Sequence, residues 1–192
     1  MAKISTSMKC NHFCPQSLFL YGTYREDGTP NFGLFCWFSY YWDEDLGVMA
    51  CIGDTKLTKD LIRKNGVFSA NLVTKPLLPL ADYYGNHAAY DPEKMKILPE
   101  VMHGAVLDVP ILKDSPWSYE LRVKKELNCQ DGDIFLCEIC NILADEYCLD
   151  ESIPIAARMQ KAAPVVTTHE TYFSLDQTPL GGWGEPQMQV KG

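Results

Sequence analysis

Residues 54–71 hold the residue types best suited to binding an anion. They read as the end of a strand, a short loop with Thr55, Lys56 and Thr58, and then a helix. A helix N-terminus offers free N–H groups and the positive end of the helix dipole, which together suit a phosphate. The hydroxyls add donors and the lysine adds charge. On these residues alone, simple N-capping with a solvated lysine is the favoured interpretation.

Two cysteine spacings suggest metal or redox chemistry. Cys10, His12 and Cys14 lie close together near the N-terminus, and Cys137 and Cys140 form a C-x-x-C pair. The pair falls in an apolar run that predicts a buried strand, where residues three apart point to opposite faces. Since a structural zinc site needs converging ligand pairs, buried hydrophobic thiols are the favoured interpretation. A redox or metal role for Cys10 and Cys14 stays open.

Other chemistry-bearing motifs are absent from the sequence. No G-x-G-x-x-G follows a strand, so a dinucleotide-binding Rossmann site has no support. There is also no Walker A, G-x-S-x-G or H-E-x-x-H motif. Catalytic-triad and zinc-hydrolase functions therefore have no basis in the sequence.

Composition and charge narrow the class of protein. The 192 residues are 46% apolar and 22% charged, which indicates an ordinary globular domain. The formal charge of −8 argues against binding to a nucleic-acid backbone. No stretch has the 18 or more apolar residues of a membrane span, and residues 1–9 contain no apolar leader. We therefore expect a cytoplasmic protein with reduced thiols and no membrane partner.

The elements that position these residues read as many strands and few helices. Leu57, Leu61 and Ile62 give a helix one apolar face, with Thr55 or Thr58 as its N-cap and Gly66 at its end. A second helix is expected over 76–84 and a helical turn over 91–95. Apolar residues on both faces of 134–143 predict a central strand. The other expected strands are 17–24, 31–41, 47–53, 67–73, 119–123 and 164–169, a pattern that favours a small Greek-key or split barrel.

Several motifs, taken in order, resemble the flavin reductase-like family of FMN-binding split-barrel proteins, especially its flavoredoxin branch. The matching pieces are Pro30-Asn31, Trp37, T-K-D-L-I-R-K-N-G at 58–66, Phe68, Asn71, A-D-Y-Y-G at 81–85, D-P-E-K-M at 91–95, V-P-I-L at 109–112, D-G-D-I-F at 131–135, A-D-E at 144–146, Leu149-Asp150, His169 and Tyr172-Phe173. The resemblance covers 16–172. It leaves an N-terminal extension (1–15) and a C-terminal tail (176–192) within a single domain of residues 1–192.

The family resemblance implies a fold, a cofactor and a binding site. The fold would be mainly β, a six-stranded antiparallel Greek-key split barrel with a few short helices, forming a homodimer with non-covalent FMN at the interface. Thr55, Lys56 and Thr58 would hold the phosphate. Lys94 would lie near the isoalloxazine ring, where a cation stabilises the negative charge of the reduced form and raises its potential. The remaining implied cofactor-binding residues are Asn31, Cys36, Trp37, Asn71, His169 and Tyr172.

Structural alternatives stay open for three of these residues. Trp37 also suits a core or dimer contact, Lys94 a solvated helix lysine, and His169 a hydrogen-bonded strand histidine. The sequence also departs from the family pattern, because many relatives have Thr-x-Ser-Trp where this chain has Leu-Phe-Cys-Trp at 34–37. Two hydroxyls are therefore missing from the strand beside the expected flavin.

The resemblance supports two functions. In the first, an oxidoreductase passes electrons from NAD(P)H or a protein donor through FMN to a flavin, a metal chelate or a redox partner. In the second, the protein is a non-enzymatic FMN-binding electron carrier. A cysteine-based metal-binding protein is the third and weakest alternative. The sequence does not distinguish NADH from NADPH.

Overall fold

The fold was obtained as a computed structural model, which describes residues 3–88, 90–168, 171–175, 178–183 and 185–189. The helices are α1 (Leu57–Asn65), α2 (Leu78–Asn86), α3 (Glu146–Leu149) and α4 (Ile155–Ala162), with 3₁₀ turns at Pro92–Lys96 and Pro186–Gln189. The strands are β1 (Gln16–Ser17), β2 (Phe19–Tyr24), β3 (Pro30–Phe35), β4 (Phe38–Asp43), β5 (Asp45–Gly53), β6 (Val67–Leu72), β7 (Val101–His103), β8 (Pro110–Leu112), β9 (Trp117–Asn128), β10 (Gly132–Ala144), β11 (Val165–Thr168) and β12 (Thr171–Ser174).

A seven-stranded antiparallel sheet forms the body of the fold, in the order β3-β2-β6-β9-β10-β5-β4. Two small antiparallel sheets, β1-β11-β12 and β7-β8, lie outside it. The prediction of a mainly β, antiparallel fold is confirmed. Strand β10 pairs with β9 on one side and β5 on the other, so its predicted central position is confirmed as well.

The predicted single strand over 31–41 is wrong, because the chain breaks at Cys36 and Trp37. Strand β3 ends before this pair and β4 begins after it, and the two strands lie at opposite ends of the sheet. The Trp37 carbonyl accepts from the Cys51 N–H (2.9 Å), which carries the chain onto β5. Since only two residues join the end strands, the sheet must curl until its ends approach. It has seven strands and is not a closed barrel, which corrects the expected count of six.

Strand β2 is buried on both faces and separates two parts of the core. On one face, Phe19 and Tyr21 pack with Phe68 in what we call the first core cluster. On the other face, Leu18 and Leu20 pack in the second core cluster. This alternation follows the period of two along a strand. The second cluster also contains the buried face of α2, which fixes that helix against the outside of the sheet.

Helix α1 is held to the hairpin of β9 and β10 by ion pairs. Lys59 pairs with Asp133 (2.8 Å), and Arg63 pairs with both Asp133 (2.7 Å) and Glu126 (2.6 Å). The helix ends at Gly66, as predicted, where a left-handed backbone lets its N–H donate to the Ile62 carbonyl (2.8 Å). These contacts fix the direction in which the N-terminus of α1 points.

The cysteines are free thiols, in exposed as well as buried positions. All eight are unpaired, and Cys137 lies in the first core cluster while Cys140 packs against a third cluster. The two thiols thus occupy different faces of β10. Within the described part of the chain, no three His, Cys, Asp or Glu side chains gather as a metal site would require. None of the described helices has the length and apolarity to cross a membrane.

Candidate functional site

A cleft opens where β3, the start of α1 and the end of α2 meet. Its volume is about 310 Å³, within the range of small-molecule sites. The floor from β3 is apolar, whereas the start of α1 and the segment after α2 supply polar and charged groups. The lining residues are Gly33, Leu34, Phe35, Thr55, Lys56, Leu57, Thr58, Tyr84, Gly85, Asn86, His87, Ala88, Tyr90 and Lys94.

The N-terminus of α1 faces this cleft without a side-chain cap. Its N-cap residue is Lys56, and no side chain accepts a hydrogen bond from the first turn. The prediction that Thr55 or Thr58 caps the helix is therefore wrong, because the helix begins at Leu57, two residues after Thr55, and takes Thr58 into its first turn. The first N–H groups of α1 have no intrahelical acceptor and remain available to an anion.

Thr58 is held at this helix end by a buried hydrogen bond from β3. Asn31 donates from Nδ2 to Thr58 Oγ1 (2.9 Å), and both residues are almost fully buried. Gly33 makes the approach possible, since a Cβ there would lie 2.7 Å from Thr58 Oγ1. Asn31 Oδ1 is buried with no partner among the described atoms, which is costly unless another donor reaches it.

Two cations on the cleft lack a carboxylate partner in the described part of the chain. Lys56 and Lys94 form no ion pair there, whereas the basic side chains within α1 all do. Lys94 is only 4% exposed. A buried cation without an anion is energetically costly. In a protein with a net charge of −8, this local positive site indicates an anionic ligand.

The surroundings of Lys94 alter its titration. Burial, together with the nearby positive charges of Arg25 and Lys56, lowers its pKa to about 8. The predicted alternative of a solvated helix lysine does not describe this side chain, because it is buried. An anion in the cleft would favour its charged form.

The A-D-Y-Y-G motif of α2 connects the cleft to its surroundings. Tyr172 donates from its hydroxyl to Asp82 Oδ1 (2.7 Å), which joins β12 to α2. Gly85 lets α2 approach β3 closely, since a Cβ there would contact Leu34 at 3.0 Å. Tyr172 thus lies behind α2 and packs against the second core cluster. Burial and the adjacent Asp82 raise the pKa of Tyr172 to about 12.

The structure brings only some of the predicted site residues together. Thr55, Lys56, Thr58 and Lys94 line the cleft, and Asn31 lies directly behind Thr58. Cys36 and Trp37 lie where β3 leads into β4, outside the cleft lining. Cys36 packs against the second core cluster, and burial raises the pKa of its thiol. Trp37 is 53% exposed.

Asn71 also lies outside the cleft lining. Asn71 is fully buried, and its amide bonds to the Leu20 carbonyl (2.9 Å), Ser69 Oγ (2.9 Å), the Leu112 N–H (2.9 Å) and Ser118 Oγ (2.8 Å). These bonds join four strands and leave its side chain no free group for a ligand. His169 lies outside the described residues, so its predicted role stays a prediction.

Sequence reasoning missed four polar or aromatic residues on the α2 side of the cleft. These are Tyr84, Asn86, His87 and Tyr90. The A-D-Y-Y-G motif contains Tyr84 and could have indicated it, but tyrosines in such a motif resemble ordinary core residues. Asn86 is the last residue of α2, and His87 and Tyr90 follow it in a segment whose path depends on tertiary contacts, so no local pattern indicates them.

The family of the chain follows from comparisons with known proteins. A family model described as a flavin reductase like domain matches residues 11–174, so the chain belongs to the flavin reductase-like family. This confirms the resemblance that the sequence motifs indicated. No curated protein sequence gives a match.

Solved structures support the same fold. A flavoredoxin from Methanosarcina acetivorans superimposes with a TM-score of 0.81 at 22% identity, covering 97% of each chain. The flavoredoxin of Desulfovibrio vulgaris (Miyazaki F) has a TM-score of 0.81 at 21% identity, covering 96% of this chain and 100% of that one. An FMN-binding protein from Thermus thermophilus has a TM-score of 0.76 at 19% identity, covering 95% and 98%.

The burial of Lys94 predicts a stability effect that needs no ligand. Its folded pKa of about 8 lies below the ordinary 10.5, so the folded state binds fewer protons than the unfolded state between these values. Charged Lys94 therefore destabilises the ligand-free protein at pH 7, and this penalty disappears as the pH rises through that window. We expect Lys94→Met to raise the free energy of unfolding by about 1–2 kcal/mol at pH 7, measured by urea denaturation.

The matched control is Lys161→Met, since Lys161 is an exposed lysine outside the cleft. That variant should stay within about 0.5 kcal/mol of the wild type. The gain from Lys94→Met should shrink between about pH 8 and pH 10.5. A loss of stability, or a gain that does not depend on pH, would contradict the burial of an uncompensated charge.

Proposed function

We propose that this protein binds FMN non-covalently in the cleft and acts as an oxidoreductase of the flavin reductase or flavoredoxin type. Electrons would pass from NAD(P)H or a protein donor to a flavin, a metal chelate or a redox partner. The observation that carries the proposal is the uncapped N-terminus of α1 beside two cations that have no carboxylate partner among the described residues. Membership of the flavin reductase-like family supports a flavin as the ligand.

The residues present fit the chemistry of FMN. A phosphate carries about −2 charge, which suits the free N–H groups of α1, the Thr58 hydroxyl and Lys56. The buried Asn31 Oδ1, which lacks a partner among the described groups, can accept from a hydroxyl such as those of the ribityl chain. Leu34 and Phe35 offer an apolar surface for a planar ring. The similar structure of the FMN-binding protein from Thermus thermophilus also supports this assignment.

Each of these residues would have a distinct task. The α1 N-terminus and Lys56 would bind the anionic end, and Asn31 would orient the Thr58 hydroxyl through the observed hydrogen bond. Lys94 would supply positive charge in a site with little water, where electrostatic interactions are strong. Bound FMN would supply the hydride and electron transfer chemistry. No protein acid or base is required for hydride transfer.

A homodimer is part of the proposal. An exposed set of large side chains lies around the β3–β4 connection and β4, and we call it the aromatic patch: Trp37, Tyr40, Trp42 and Leu46, which are 53%, 50%, 75% and 45% exposed. Large exposed apolar patches commonly mark interaction sites. The cleft volume is near the lower limit for small-molecule sites, which supports completion of the pocket by a second copy.

All eight cysteines are free thiols, which supports a reducing compartment such as the cytoplasm.

The phosphate site is tested by removing its side-chain donors. We expect Lys56→Ala combined with Thr58→Ala to weaken FMN binding by about 3 kcal/mol, because charge-assisted hydrogen bonds are each worth about 1.5–3 kcal/mol. Flavin fluorescence quenching would measure the dissociation constant. Lys64→Ala is the control, since Lys64 is an exposed lysine of the same helix that pairs with Glu26. A double variant that purifies with full flavin content would refute the assignment.

The reaction is tested by anaerobic titration with each pyridine nucleotide. If the protein is a reductase, NADH or NADPH should bleach the yellow flavin rapidly, because hydride transfer reduces the ring directly. Absorbance in a stopped-flow instrument would follow the change, with dithionite as the positive control for reduction. Bleaching by dithionite alone would indicate the non-enzymatic electron carrier. A purified protein that is colourless and takes up no added FMN would refute both functions.

The dimer is tested by light scattering coupled to size exclusion. The wild type should have twice the mass of the 21.7 kDa chain. Trp42→Glu should dissociate the dimer and lower the flavin content, because it places a charge in the aromatic patch. Trp183→Glu is the control, since Trp183 is a fully exposed tryptophan distant in sequence from the patch. A stable monomer that retains its flavin would exclude a site completed by the partner.

A further inference from the structure

Among the described residues, no carboxylate forms an ion pair with the charged end of Lys94. The side chain is 4% exposed and lines the cleft. The groups that affect its charge most are Arg25 and Lys56, which are both positive. On its own 3₁₀ turn, Glu93 is engaged in an ion pair with Lys96, and Asp91 accepts from the Glu93 N–H (2.9 Å). Something other than an opposite charge must therefore keep the ammonium in the cleft.

The side chain of Tyr84 in α2 lies against this ammonium. Lys94 Nζ is 5.3 Å from the centre of the Tyr84 ring, within the range of a cation–π contact. The Tyr84 hydroxyl donates to the Ile97 carbonyl (2.5 Å), and the Tyr83 hydroxyl donates to the Glu93 carbonyl. These two bonds fix the backbone on both sides of Lys94. Tyr84 is the residue that contacts both the charge and the segment that carries it.

We infer that Tyr84 is a positioning residue, which holds the ammonium of Lys94 in the cleft through its ring face and its bond to Ile97. The inference goes beyond the proposed function by naming how the cation is placed, and it rests on that function only for the identity of the anion. Tyr84 itself need not contact the ligand. Its effect on binding should pass through the charge and position of Lys94.

The test measures how FMN affinity changes with pH. In the wild type, affinity should fall as the pH rises above about 8, where ligand-free Lys94 loses its proton. We call the pH at which affinity begins to fall the break. We expect Tyr84→Leu to weaken binding about tenfold at pH 7 and to raise the break by about one pH unit or more. The reason is that an ammonium without the ring and the Ile97 bond moves into water and regains its ordinary pKa.

Three further variants separate positioning from simple packing. Tyr84→Phe keeps the ring and should restore most of the affinity, with the break near its wild-type pH. Lys94→Met should remove the break. Tyr147→Leu is the matched control, because Lys161 Nζ lies 4.0 Å from the Tyr147 ring centre outside the cleft, and this variant should bind FMN like the wild type. The phosphate itself titrates at lower pH, so changes in affinity below about pH 7 are assigned to the ligand.

The pKa of Lys94 can also be measured without any flavin. Nitrogen NMR of the ligand-free protein, with the signal assigned by its loss in Lys94→Met, should show a higher pKa in Tyr84→Leu than in the wild type. If Tyr84→Leu lowers affinity equally at every pH and leaves the NMR pKa unchanged or lower, Tyr84 only packs and the inference is overturned. Failure of the wild type to bind FMN would refute the proposed function, and the NMR comparison would still decide the role of Tyr84.

Discussion

The constraint on which the site depends is positive charge that the protein itself does not neutralise. Helix α1 begins with free N–H groups, and Lys56 and Lys94 face the same cleft without a carboxylate partner in the described part of the chain. Elsewhere on α1 the cations do form ion pairs, since Lys59 and Arg63 both pair with Asp133. The chain has more acidic than basic residues, so a carboxylate near the cleft would not be unusual. None of the carboxylates in the described ranges lines the cleft, which suits an external anion at a cost to the stability of the ligand-free protein.

Strand β3 makes this arrangement geometrically possible. It forms one end of the sheet, so its surface is reached by both α1 and α2. Asn31 and Gly33 alternate with buried Phe32 along it, which places the amide and the open glycine position toward Thr58. Asn31 then holds the first turn of α1 at a fixed distance from the strand. The same strand end leads directly into the β3–β4 connection, where the curled sheet exposes Trp37.

The sequence predicted features that depend on nearby residues and missed those that depend on tertiary contacts. The end of α1 at Gly66 follows from local backbone chemistry, whereas the break at Cys36 and Trp37 has no glycine or proline to indicate it. That break exists because Trp37 bonds to Cys51 from the opposite end of the sheet. The loop that lines the cleft before α1 could be located from hydroxyls and a lysine before a helix. That no side chain caps this helix could not be predicted.

Lys94 and Asn71 show the same limit for individual site residues. Both came from the family resemblance, and both are buried, yet their surroundings differ. The polar atoms of Asn71 are all used, by its own strand and three neighbouring strands, whereas in the described part of the chain the ammonium of Lys94 has a ring face and two like charges nearby. A buried polar group with every bond made stabilises the fold, and one with none made is a functional candidate. This difference is decided by partners far away in the sequence, so it could be read only from the structure.

The residues at 34–37, which differ from the family pattern, determine which groups β3 can offer to a ligand in this cleft. With Leu34 and Phe35 on its floor, β3 offers no side-chain hydroxyl to a ligand. Phe35 is also fixed in place, because it stacks on buried Tyr21 with ring centres 4.7 Å apart. Polar groups for a ligand would then come from the start of α1, Asn31, Lys94 and the residues at the end of α2, while Leu34 and Phe35 provide an apolar surface. Such a division suits a ligand with one anionic end and one flat apolar part, and affinity would then depend mainly on the charged end.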